Sequence, residues 1–131
     1  MFFSLVTNFL LMILRSIDDG CIFVHEIQAL TRNHNCYSDD LAYIPYDQRN
    51  IEKPVGIGEY CCIGARVTIL PDVKIGKGLL VVACSVVTKD CQGYAAGGDN
   101  PAKVIKYRNK EKLDELLSKD KEYIKCTKHY S

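Results

Sequence analysis

An aliphatic residue recurs at every sixth position, at Ile57, Ile63, Ile69, Ile75, Val81 and Val87. No other property of the chain constrains its fold as tightly. An amphipathic helix returns its apolar face at steps of three and four, and a half-buried strand at steps of two. A step of six fits neither, and Gly58, Gly64, Pro71 and Gly76 fall where a helix would be weakened or broken. The step suits short strands joined by turns, three sides to a coil of about 18 residues, with the aliphatic side chains pointing inward and stacking coil on coil. Ile57 would then lie under Ile75, and Ile63 under Val81. Four places after each rung stand Cys61, Val67, Val73, Leu79, Ser85 and Cys91, all small or apolar. An earlier patch at Ile17, Phe23 and Ala29 keeps the same step, with Cys21 and Ile27 four places on.

A chain of 131 residues suits one domain. Residues 17–108 are expected to form the solenoid. Residues 35–53, polar and off the period, are expected to leave it as a loop excursion, and long loops are often functional. Residues 1–16 are an apolar N-terminal segment. Met1–Leu14 is shorter than the roughly 20 residues that span a bilayer, and it lacks a basic leader and a small-residue cleavage site. It reads as a buried or interface segment, or as the remnant of a longer N-terminal region. Residues 109–131 form a helix and tail. Leu113, Leu116, Leu117 and Ile124 stand at amphipathic spacing over Asn109–Lys125, which predicts a helix packed against the end of the solenoid.

Seventeen basic and 16 acidic residues leave a net charge of +1. That balance offers no electrostatic basis for binding nucleic acid. The seven cysteines are odd in number and contain no C-x-x-C pair, so no zinc framework is expected. Cys61 and Cys91 fall on inward positions, where a free thiol behaves as a small hydrophobe. Reduced thiols imply a reducing compartment, and the expected location is cytoplasmic.

The stretch from Lys53-Pro54-Val55 to Asn100-Pro101-Ala102-Lys103 contains I-G-A-R-V-T-I-L-P, S-V-V-T-K-D and N-P-A-K-V-I-K. It resembles the hexapeptide-repeat acyltransferases, the group holding galactoside, maltose and polysaccharide O-acetyltransferases. The resemblance runs from about Ile17 to Arg108. It implies an all-β fold, a left-handed parallel β-helix with a C-terminal α-helix, which departs from the usual right-handed crossovers. It further implies a homotrimer binding acetyl-CoA in clefts between neighbouring prisms. The implied reaction is acetyl transfer to a hydroxyl of a sugar or polysaccharide precursor. His34, in A-L-T-R-N-H, matches the family's catalytic histidine after a T-x-x-H run, and a neutral imidazole suits a general base. His25 reads as an outward structural residue and His129 as a tail residue without a role. The family's coenzyme contacts fall on Ala65, Ala83, Thr88, Lys89, Lys103 and Lys106.

Relatives carry glycine where this chain has Asp18, Val24, Asp72, Cys84 and Asp99, and tryptophan where it has Cys62. A turn glycine commonly supplies a positive φ, so each replacement is expected to cost about 1 kcal/mol. Cys84 also stands beside the expected pantetheine track. These departures leave a second reading open: a truncated, catalytically weak or inactive β-helix trimer. A third, a zinc enzyme of the β-helix carbonic anhydrase type, needs three converging histidines. Only His25 and His34 lie in the coils, and no metal is expected.

Overall fold

A computed structural model describes residues 16–119 together with the short strands β1 (Phe3–Ser4) and β2 (Leu10–Leu11). The first full coil is β3 (Ser16–Ile17), β4 (Ile22–Phe23) and β5 (Gln28–Ala29). An antiparallel pair follows, β6 (Arg32–His34) and β7 (Asn50–Glu52). The second coil is β8 (Gly56–Ile57), β9 (Cys62–Ile63) and β10 (Thr68–Ile69); the third is β11 (Lys74–Ile75), β12 (Leu80–Val81) and β13 (Val86–Val87). The described residues close with β14 (Ala95–Gly98), its antiparallel partner β15 (Lys103–Tyr107) and helix α1 (Lys110–Ser118).

Equivalent strands of successive coils pair in parallel, making a left-handed parallel β-helix with three faces. One face has six strands in the order β1-β4-β9-β12-β14-β15, the next four (β13-β10-β5-β2) and the last three (β11-β8-β3). The register sets Ile57 against Ile75 and Ile63 against Val81, as the six-residue step requires. All six rungs from Ile57 to Val87 are buried. Phe23, Ile63 and Val81 share one inward column, and Ala29, Ile69 and Val87 another. Cys61 is buried; Cys91 is partly exposed and packs against the core, bridging Ile75. His25 is exposed, as its outward assignment expects.

Left-handed residues turn the corners. From Tyr60 they recur at Arg66, Asp72, Gly78 and Cys84, again at a step of six. Three of the replaced glycines do take this conformation: Asp72 (φ 71°), Cys84 (φ 63°) and Asp99 (φ 90°). Asp18 and Val24 do not, so the expected backbone penalty is absent there. Glu26, Tyr60, Arg66 and Tyr94 are also left-handed without being glycine. A non-glycine corner is therefore the common state of this solenoid, and the replacements do not mark a break in it. Gly64 is needed for a different reason. A Cβ there would lie 2.6 Å from the Ala83 nitrogen and 2.9 Å from the Val81 oxygen of the next coil.

Helix α1 begins where the Asn109 side chain accepts a hydrogen bond from the Lys112 amide at 2.9 Å, an N-cap. It is shorter than the expected span to Lys125, and residues beyond 119 lie outside the described ones. It also lies along a side of the prism rather than across its end. The outward residues Ile22, Cys62, Leu80 and Ala96 of the six-stranded face are apolar and need cover. Half-buried Leu113, Leu116 and Leu117 supply part of it, around a cavity of about 210 Å³ that Ile22, Cys62 and Tyr94 also line. Within the apolar N-terminal segment, only β1 and β2 are described before β3, and they extend the six- and four-stranded faces. No described helix is long and apolar enough to cross a membrane.

Candidate active site

Ile17 pairs directly with Ile57, so the intervening chain leaves the coil after Leu30 and rejoins it at Val55. The excursion opens and closes on the hairpin of β6 and β7, which sets Arg32 opposite Glu52, Asn33 opposite Ile51 and His34 opposite Asn50. Arg32, Asn33, His34 and Asn50 line a shallow depression of about 390 Å³. His34 is exposed, and its imidazole stacks on the Tyr46 ring, centroids 4.0 Å apart and planes 16° from parallel. A solvent-facing imidazole held flat against a phenol ring can accept a proton from an incoming hydroxyl.

The loop behind this pair is built on a charge pair. The Asp47 side chain is almost wholly buried, and its carboxylate accepts hydrogen bonds from Arg49 Nη2 (2.6 Å), Arg49 Nε (3.0 Å) and Asn35 Nδ2 (2.9 Å). Its second oxygen accepts from the Arg49 amide at 2.9 Å. The hydrogen bond from Arg49 holds the Asp47 carboxyl far below the usual carboxylate range, against the opposing effect of burial. Arg49 also reaches Asp40 at 3.0 Å and lowers that carboxyl too. The excursion is polar, as its composition indicates, but buried Asn35 and Asp47 give it an interior. In the sequence Asp47 and Asn50 are two polar residues of the excursion; nothing in their spacing gives them a structural role.

The coenzyme candidates fall in several places. Ala65 and Ala83 occupy one corner on successive coils, tied by the Cys84 amide donating to the Ala65 oxygen at 2.8 Å. Cys84 is exposed at that corner, above Arg66, whose guanidinium pairs with Glu26 at 2.6 Å. Thr88 and Lys89 follow β13. Lys89 and Lys103 line a common depression of about 360 Å³ with Asp90, Cys91 and Ala102. Lys106 lines another, with Leu80, Ala96 and Lys112. The structure therefore groups Ala65 with Ala83 and Lys89 with Lys103. His34 and Lys106 stand apart from both groups. The corner of Ala65 and Ala83 joins the six- and four-stranded faces, whereas the excursion leaves from the far edge of the four-stranded face. Among the described residues no group of three or more His, Cys, Asp or Glu is placed to hold a metal ion.

Residues 54–89 match the bacterial transferase hexapeptide (six repeats) family model. The chain is 43% identical over 61 residues to a chloramphenicol acetyltransferase of Klebsiella aerogenes, a match covering 47% of this chain and 29% of that protein. It is similar in structure to a maltose O-acetyltransferase from Clostridium difficile 630, with a TM-score of 0.62 and 30% identity, over 70% of this chain and 47% of that one. A hexapeptide-repeat-containing acetyltransferase from Vibrio cholerae O1 biovar eltor, solved with acetyl coenzyme A, gives a TM-score of 0.57 and 29% identity over 69% of this chain and 47% of that one. The chain thus spans less than half the length of each of these proteins. With its rungs, its coils and these matches in agreement, the chain carries the bacterial transferase hexapeptide repeat over residues 54–89 and is similar in sequence and fold to the hexapeptide-repeat acetyltransferases.

Proposed function

We propose that this chain is an acetyl-CoA-dependent O-acetyltransferase acting on a hydroxyl of a sugar or polysaccharide precursor in the cytoplasm. The observation that carries the reading is the placement of His34. It is the exposed imidazole of a hairpin that interrupts the coils, and it opens on a depression that Arg32, Asn33 and Asn50 also line. In the reaction His34 takes the acceptor hydroxyl proton as the oxygen bonds to the acetyl carbonyl carbon. The carbon–sulfur bond then breaks, and coenzyme A leaves as a thiol once its sulfur regains a proton. Ala65 and Ala83 offer backbone groups to pantetheine, Thr88 a hydroxyl, and Lys89, Lys103 and Lys106 positive charge to phosphates. The maltose O-acetyltransferase and the acetyl-coenzyme A complex among the similar structures support the acceptor and donor classes.

The site works between copies. His34 and the Ala65–Ala83 corner lie on opposite edges of the four-stranded face, so a second copy in a homotrimer is what brings base and thioester together. Replacing His34 by alanine tests the reading. Turnover of acetyl-CoA with a panel of sugars, amino sugars and aromatic alcohols should fall by about 100-fold or more. Unchanged turnover removes His34 as the base, and a monomer by light scattering at micromolar concentration removes the shared site.

One observation favours a second reading, a catalytically weak or inactive β-helix trimer. The Cys84 side chain stands exposed at the corner that Ala65 and Ala83 would offer to pantetheine. Acetyl-CoA binding by the Cys84→Gly variant alone, and not by the parent chain, would establish it.

A further inference from the structure

We propose that the ion pair of buried Asp47 and half-exposed Arg49 positions the His34 imidazole, making both of them positioning residues for the base; the inference rests on His34 as the base. Each link is a direct contact. Asn35, next in the chain to His34, donates its backbone amide to the Arg49 oxygen at 3.1 Å and accepts from the Asp47 amide at 3.2 Å. Its side chain donates to the Asp47 carboxylate at 2.9 Å and to Ser38 Oγ at 2.7 Å. Tyr46, next to Asp47, carries the ring on which the imidazole lies. Asp47 thus ties the two together: it follows the stacking partner in the chain, and its carboxylate holds the residue after His34. Among the described residues the exposed imidazole makes no ion pair or hydrogen bond of its own, so the stack and the Asp47–Asn35 tie fix its place. A carboxylate–guanidinium pair with several bonds is directional and rigid, and a misplacement of about 1 Å at a reacting group can cost about 100-fold in rate.

Asp47→Asn keeps the shape and removes the charge, while Arg49→Lys keeps a charge without the fork. Two readouts are needed. The first is turnover of acetyl-CoA with maltose or an aryl β-galactoside, resolved into kcat and the KM for acetyl-CoA. The second is the Cε1–H signal of His34 in carbon-labelled protein, assigned by its loss in His34→Gln. A ring stacked on tyrosine shows that signal displaced upfield. Asp47→Asn is expected to abolish the displacement, leave the amide signals of the coils in place, and lower kcat by about 10- to 100-fold with KM within about twofold. Arg49→Lys should recover part of both effects relative to Arg49→Ala. A folded Asp47→Asn with unchanged signal and unchanged kcat overturns the proposal. A displaced ring with unchanged kcat supports the positioning and instead removes His34 as the base. If Asp47→Asn does not fold, Tyr46→Phe and Tyr46→Leu decide. Phe must keep both signal and kcat and Leu must lose both, and a Leu variant that keeps them overturns the proposal. Should neither acceptor turn over, the His34 signal alone decides.

Discussion

The ring of Tyr60 lies where a side chain on Gly20 of the coil beneath would have to go. A Cβ built on Gly20 meets the Tyr60 ring carbons Cδ1 and Cε1 well inside contact distance, and Gly20 is itself left-handed at φ 78°. The same corner one coil on pairs Gly78 (φ 69°) with Tyr94, at an ordinary 3.4 Å. The two glycines separate two costs. Gly78→Ala should lose about 1 kcal/mol, for the left-handed backbone alone. Gly20→Ala should lose that and about 1–3 kcal/mol more for displacing the ring. Urea denaturation of both variants measures the difference, and equal losses would show that Tyr60 moves aside freely.

At the corner of Cys84 the strain runs the other way. A cysteine at φ 63° pays for a conformation that glycine adopts without penalty. Cys84→Gly should therefore stabilise the folded chain, by about 0.5 kcal/mol once the greater freedom of glycine in the unfolded state is deducted. A lower urea midpoint in the variant would mean that the thiol makes a contact that outweighs the strain.

The solenoid was legible because its signal is one of burial. A rung must be apolar in every coil, and Ile57, Ile63, Ile69, Ile75, Val81 and Val87 are all buried. The corners were less legible, since a left-handed residue leaves no trace in residue type when Tyr60, Arg66 and Glu26 adopt it as Gly78 does. The helix was legible from its leucines, but its place was not: it follows from the apolar outer side of the six-stranded face, which only the strand register reveals. His34 came from a resemblance, and the structure sets it on an exposed hairpin. What holds it there could not be read from the sequence. Asp47 and Arg49 stand two apart in a polar loop, and Asp47 becomes buried only when the hairpin brings Asn35 back against it.

That interior should respond to acid. The folded-state carboxyl of Asp47 is depressed from its ordinary 3.8 by the Arg49 hydrogen bond. Its contribution is therefore full above the unfolded value, declines as pH falls below about 3.8, and is gone once the folded carboxyl is protonated. Asp47→Asn lacks this proton linkage. The stability gap between parent and variant should be widest near neutrality and close progressively on acidification below that value. Urea midpoints taken from pH 7 downward read it directly, and a gap that stays constant would show that the Asp47 charge contributes nothing to folding.

Lys89 and Lys103 share a depression at the last coil, and this tests how the coenzyme lies. Asp90 in the same depression is engaged with the backbone, accepting from the Lys74 amide at 2.8 Å. The two lysines are exposed point charges without forked geometry, so their hold on phosphate should be screened by salt. Removing both (Lys89→Ala with Lys103→Ala) should raise the KM for acetyl-CoA by about tenfold at low ionic strength and by less at 0.5 M salt, about one Debye length being only a few ångströms there. The kcat should stay within about twofold, because phosphate contacts far from the thioester bind ground and transition states alike. Lys106→Ala is the discriminating variant, since Lys106 lies in the separate depression with Leu80 and Ala96. If it alone raises KM, the phosphates lie against the outer side of the six-stranded face near helix α1. If the paired variant alone raises it, they lie at the open last coil, and the family-based assignment of Lys106 is lost.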